Sequence, residues 1–102
     1  MARVDLSSAA QKDLRKVLTT PAGPAIKRVV LHDLAAEPWP ENLDVASLEG
    51  MGSWLRVRAG AFRIVLRPLN PAECKARRVA KGYLVDRVVN RRDLERILKG
   101  YR

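Results

Sequence analysis

The spacing of apolar residues changes once along this chain, and that change limits what it can fold into. Between residues 10 and 34 they recur at helical intervals: Ala10, Leu14, Val17 and Leu18, then Ile26, Val30 and Leu34 with Val29 beside them. From residue 54 they alternate, in Trp54-Leu55-Arg56-Val57-Arg58 and again in Phe62-Arg63-Ile64-Val65-Leu66-Arg67. Tyr83 to Val89 is almost continuously apolar, as an interior strand is. Arg3 to Leu6 reads as a short first strand. Helices followed by strands make an α+β domain. A chain of 102 residues builds one core, so residues 1–102 are expected to form a single domain.

The punctuation supports this layout. Ser8 with Gln11 has capping-box spacing and opens the first helix. The run Thr19-Thr20-Pro21-Ala22-Gly23-Pro24 stops it and starts a second, which is expected to reach about Glu37 before Pro38 and Pro40 end it. Residues 41–53 lack periodicity and read as loop. Pro68 to Gly82 is polar and broken by prolines, and its middle, Ala72 to Lys81, reads either as a short basic helix or as a mobile stretch. Asn90 can cap a last helix over Arg91 to Lys99, buried through Leu94, Ile97 and Leu98. The helices are expected on one face of a mostly antiparallel four-stranded sheet, with the other face open.

That open face draws attention through charge. The net charge is +9, and its distribution is lopsided: residues 1–53 carry six basic and seven acidic side chains, residues 54–102 fourteen and four. Eleven of those fourteen are Arg, the side chain suited to bidentate phosphate contact. A polyanionic partner follows. Two hairpin registers are open, with the turn at Ala59-Gly60 or, as type II′, at Gly60-Ala61. Both give the same facing. Leu55, Val57, Phe62, Ile64 and Leu66 point to the helices; Trp54, Arg56, Arg58, Arg63, Val65 and Arg67 point away. Stacking like charges across strands is destabilising unless an anion sits between them. Phosphate binding, with Trp54 for base stacking, is one reading of that face, and simple solvation of the charges is the other.

The remaining chemistry is sparse. Cys74 is the lone cysteine, which excludes a disulfide framework and a Cys-cluster zinc site, and His32 is the lone histidine. No metal and no cofactor are expected. His32 falls mid-helix, away from the Arg face. Cys74 has no histidine nearby in sequence to activate it. Tyr83 reads as a strand residue, and Tyr101 either as a catalytic hydroxyl or as a helix-end anchor. Asp86 reads as an ion-pair partner of Arg87. No apolar run nears the length of a membrane span and MARVDLSSAA lacks the features of a signal peptide, so a cytoplasmic location without membrane contact is expected.

Two stretches carry a family resemblance. Leu48-Glu49-Gly50 precedes Trp54-Leu55-Arg56-Val57-Arg58-Ala59-Gly60-Ala61-Phe62-Arg63-Ile64-Val65-Leu66, and Arg87-Val88-Val89-Asn90-Arg91-Arg92-Asp93 follows later. In order and spacing they resemble the RelE/ParE superfamily of bacterial type II toxins, whose hairpin reads R-V-R-x-G-x-Y-R-I-x-Y and whose last strand ends near R-V-x-H-R-R. The resemblance implies a RelE-like fold and a cognate antitoxin. It further implies either ribosome-dependent cleavage of mRNA, which inhibits translation, or inhibition of DNA gyrase without nuclease chemistry; a non-catalytic nucleic-acid-binding module is the third reading. Carried over by position, Arg56, Arg63 and Arg92 would orient RNA and stabilise charge, with Tyr101 the candidate hydroxyl. Trp54, Arg58, Arg67 and Arg91 would flank them, and the longer loop would add Lys75, Arg77, Arg78 and Lys81 as RNA contacts. The sequence departs from the pattern at Phe62 and Leu66, where the family has Tyr, and at Asn90, where it often has His.

Overall fold

A computed structural model describes residues 1–101. Five strands form one sheet: β1 (Arg3–Leu6), β2 (Asp44–Ser47), β3 (Leu55–Ala59), β4 (Phe62–Pro68) and β5 (Gly82–Asn90). Their order is β1-β5-β4-β3-β2, with β1 parallel to β5 and every other pair antiparallel. The expected sheet of four strands therefore gains a fifth, β2, in the segment read as loop. Its four residues, Asp-Val-Ala-Ser, are too few for alternation to register, and it is held as an edge strand by pairing with β3.

The first helix, α1 (Ser8–Val17), is capped by Ser7 rather than Ser8: the Ser7 hydroxyl accepts from the Ala10 N–H at 3.0 Å. The second, α2 (Gly23–Arg28), runs into a π-helical turn over Val29–Asp33 and stops short of the expected Glu37. Gly23 sets the corner between the two. A Cβ there would lie 2.7 Å from the Leu18 Cα, so only glycine lets α2 start this close to the end of α1. The main core lies between this hairpin and the sheet, with Val30, Leu34, Val57, Ile64, Leu66 and Val85 fully enclosed. A third helix, α3 (Pro71–Arg77), bridges β4 and β5, with Asn70 and Glu73 forming a reciprocal capping box.

The opposite face of the sheet is not left open. After β5, a 3₁₀ turn (Arg91–Asp93), α4 (Leu94–Leu98) and a second 3₁₀ turn (Lys99–Tyr101) fold back over it. Leu98, Met51 and Val65 form a small second core there, packed by Trp54, Leu94 and Tyr101. This corrects the expectation of helices on one face only.

Two local features matter for the site. The β3–β4 turn is Gly60-Ala61, with Gly60 at φ 59° and Ala59 paired to Phe62, so the second of the two registers is the one formed. In β5, Val65 pairs with Arg87 but Leu66 with Val85, so Asp86 is a bulged residue with no partner across the ladder.

Candidate nucleic-acid interface

The observed register lays a row of side chains across four strands on the second face: Asp44 opposite Arg58, Arg58 opposite Arg63, and Arg63 opposite Val89. Directly opposed residues share a face, so two guanidinium groups are forced together at the centre of that row. Arg56 belongs to the next row, opposite Ala46 and Val65. Arg91 joins from the turn after β5, whose backbone N–H donates to the Ala61 carbonyl at 2.8 Å and so ties this turn to the hairpin tip. The electrostatics register the crowding. Burial holds the Arg63 guanidinium below its ordinary pKa, and the charges of Arg58, Arg56 and Arg91 push it further down, with Asp44 alone acting against them.

Acceptors within the chain meet these cations only thinly. Arg63 donates to the carbonyls of Gly60 at 2.8 Å and Phe62 at 2.9 Å, which holds it in place without neutralising it. Asp44 lies 3.4 Å from Arg56 and 3.7 Å from Arg58, both longer than a close charge-assisted bond, and its side chain is 48% exposed. Among the described residues, Arg63, Arg91 and Arg92 pair with no carboxylate. Arg91 and Arg92 are both exposed, and the Arg92 backbone N–H donates to the Asn90 side chain, the cap expected at that position.

The rest of the expected set lies elsewhere. Arg67 is at the far end of β4, held by Glu73 through two bonds of 2.7 and 3.0 Å and lying 5.8 Å over the Trp54 ring. The Glu73 hydrogen bond raises the Arg67 pKa against its burial. Trp54 is half-buried, with Tyr101 against it edge-to-face at 4.8 Å. The Tyr101 hydroxyl donates to Asp86, and burial together with that carboxylate moves its pKa well above the usual phenol range. Tyr101 thus sits as an anchor of the C-terminal turn. The sequence pairing of Asp86 with Arg87 is not formed: Arg87 donates instead to Asp13 of α1 at 2.7 and 3.2 Å.

The basic residues around α3 form no part of the Arg row, because α3 leaves β4 at the end opposite the hairpin turn. Arg77 is paired with Asp5 at 2.5 Å. Burial opposes ionisation of Asp5, but bonds from Arg3 and Arg77 hold it below the usual carboxylate range. Lys75, Arg78 and Lys81 are exposed, with Arg78 ending α3 at φ 55° and Lys81 lying 5.9 Å over Tyr83. Cys74 is half-buried near the Leu69 carbonyl, and His32 lies on the outer side of the π-helical turn beside Lys27 and Arg28. Among the described residues, no three His, Cys, Asp or Glu side chains gather as a metal ligand set.

Asp44 joins this surface although sequence patterning did not single it out. Its signal was Val45, a β-branched residue in a short stretch followed by Gly50 and Gly52, both of which take positive φ in the connection to β3.

No family model matches the sequence, and no curated protein matches it either. Solved structures do. A chain of the toxin–antitoxin complex RelBE2 from Mycobacterium tuberculosis superposes with a TM-score of 0.61 at 20% identity, over 88% of this chain and 98% of that one. A chain of the RelB–RelE antitoxin–toxin complex from Methanococcus jannaschii gives 0.64 at 18% identity, over 91% and 96%. A chain of the archaeal RelE–RelB complex from Pyrococcus horikoshii gives 0.61 at 24%, over 88% and 94%. The five-stranded sheet, the N-terminal helical hairpin and the short C-terminal helix of this chain are a RelE-like fold.

Proposed function

We propose that this chain is the toxin of a type II toxin–antitoxin pair and that it inhibits translation by cutting mRNA on the ribosome. The observation that carries this reading is the Arg58–Arg63 pairing with Arg56 and Arg91 around it. Four guanidinium groups against one loosely held carboxylate is a repulsive arrangement that a bound phosphodiester relieves. Backbone cleavage through the 2′-hydroxyl builds negative charge on the phosphorus oxygens, and fixed guanidinium groups stabilise that charge without reorganising. Arg63 and Arg58 would hold the scissile phosphate, Arg56 and Arg92 would steady its neighbours, and Arg91 would close the site from the β5 side.

The antitoxin would neutralise this surface with an acidic segment. The reading places the toxin in the cytoplasm, where its substrate is; among the described residues no helix is long and apolar enough to cross a membrane.

A second reading, a gyrase inhibitor of the same superfamily, gains support from Tyr101. Its hydroxyl is tied to Asp86, which withdraws the phenol from acid–base work. Induced expression followed by assay of a cell-free translation extract separates the two. Growth arrest with codon-phased mRNA cuts supports the nuclease. Growth arrest with blocked supercoiling and uncut mRNA supports the gyrase reading instead. In the nuclease case, Arg63→Ala combined with Arg92→Ala should relieve the arrest.

A further inference from the structure

A row of cations can bind and polarise a phosphodiester, but cutting it also requires something to take the 2′-hydroxyl proton. Arg stays protonated near neutrality, so none of the row can do this. We infer that Asp44 is the proton acceptor of this surface, acting on RNA whose scissile phosphate sits over Arg58 and Arg63. The inference rests on the nuclease reading above and adds a residue to it.

Three observations support it. Asp44 lies in the same cross-strand row as Arg58 and Arg63 and on the same face, so it borders the phosphate seat one strand away. Its carboxylate is 48% exposed, and its contacts of 3.4 and 3.7 Å to Arg56 and Arg58 leave room for a further donor. Glu73 and Asp13 are engaged at closer range, by Arg67 and by Arg87 at 2.7 Å each, and Asp93, which meets Arg96 at 3.7 Å, sits on the turn after β5 outside the cross-strand row. In the step itself, the 2′-oxygen gives its proton to an Asp44 oxygen and attacks the adjacent phosphorus. The bond from phosphorus to the 5′-oxygen then breaks, and that oxygen takes a proton from water. A 2′,3′-cyclic phosphate and a 5′-hydroxyl remain, with no change of oxidation state. Arg56, 3.4 Å from the carboxylate, helps hold it in position.

The alternative role is a counter-ion that only quiets Arg56 and Arg58, and binding and cutting respond differently in the two cases. Asp44→Asn and Asp44→Glu are compared with the unmodified protein in a translation extract for cutting. An RNA oligonucleotide carrying 2′-deoxyribose at the scissile nucleotide, which cannot be cut, is the binding probe. Asp44→Asn is expected to lower cutting by at least about 100-fold. It should hold the probe as tightly as the unmodified protein or more so, because a negative charge has left the surface. Asp44→Glu should recover cutting to within about tenfold, as a proton acceptor on a longer stem does. Cutting by Asp44→Asn at the unmodified rate overturns the inference, and so does a parallel decline of probe binding and cutting. If the unmodified protein binds the probe yet leaves mRNA intact, the nuclease reading itself falls and Asp44 falls with it.

Discussion

Arg58 and Arg63 oppose each other across β3 and β4, and the chain tolerates the contact without placing a close carboxylate between them. A surface under selection for stability alone would carry Thr or Glu at one of the two positions. Arg58→Thr is therefore expected to raise unfolding stability by about 0.2–1 kcal/mol in urea titrations while weakening RNA binding. A lower stability on this substitution would mean that the pair is not repulsive in the folded protein. Glu73 shows the opposite arrangement. The Arg67 side chain and the Asn70 backbone N–H both donate to it and hold its carboxyl at about 2, below its ordinary 4.5. A depressed carboxylate stabilises the fold above its ordinary value, and that contribution is lost as pH falls toward the folded one. Thermal melts of Glu73→Gln and the unmodified protein should differ most near pH 6. The difference should shrink below about pH 4.5 and close near pH 2.

The elements show how a short chain closes a sheet that has more strand than partner. β1 pairs with only the first four residues of β5, Gly82 to Val85, and then turns into α1. The half of β5 that β1 leaves unpaired is sealed from the α1 side: the Ser7 hydroxyl donates to the Asp86 carbonyl at 2.7 Å, and Asp13 accepts from the Val88 N–H at 2.9 Å as well as from Arg87. Asp13→Ala removes an ionised acceptor from three donors, so it should lower stability by about 2–3 kcal/mol, read from the urea midpoint. The strong periodic elements were legible in the sequence, because Leu14 and Val17 or Ile64 and Leu66 repeat with the period their element demands. The hairpin facing was legible too, since both registers put the same residues on the same side. What the sequence concealed was contact between distant segments. Nothing local tells Arg87 to choose Asp13, 74 positions away, over its neighbour Asp86. Nor does any local pattern announce that Leu98 will return to cover Val65, or that a four-residue edge strand will bring Asp44 to the Arg row.

At the scale of the whole molecule the net charge of +9 is concentrated in residues 54–102, but the fold divides that excess. Arg67, Arg77 and Arg87 are absorbed by Glu73, Asp5 and Asp13, whereas Arg58, Arg63, Arg91 and Arg92 stay near the hairpin tip. On the nuclease reading, RNA affinity should fall steeply with salt. Replacing Arg63 by Ala should flatten the log–log slope by about 0.7 for each phosphate that its guanidinium neutralises. Replacing Arg77 by Ala should leave that slope unchanged within error while lowering stability. The parallel pairing of β1 with β5 carries a further consequence for how such a molecule comes into being. The first strand made has no hydrogen-bonding neighbour until residues 82 to 85 exist, and the small second core waits for Leu98. The antiparallel hairpin of β3 and β4 can therefore form early, whereas the sheet is completed at its β1 edge, and sealed by the second core, only once the last third of the chain has been made.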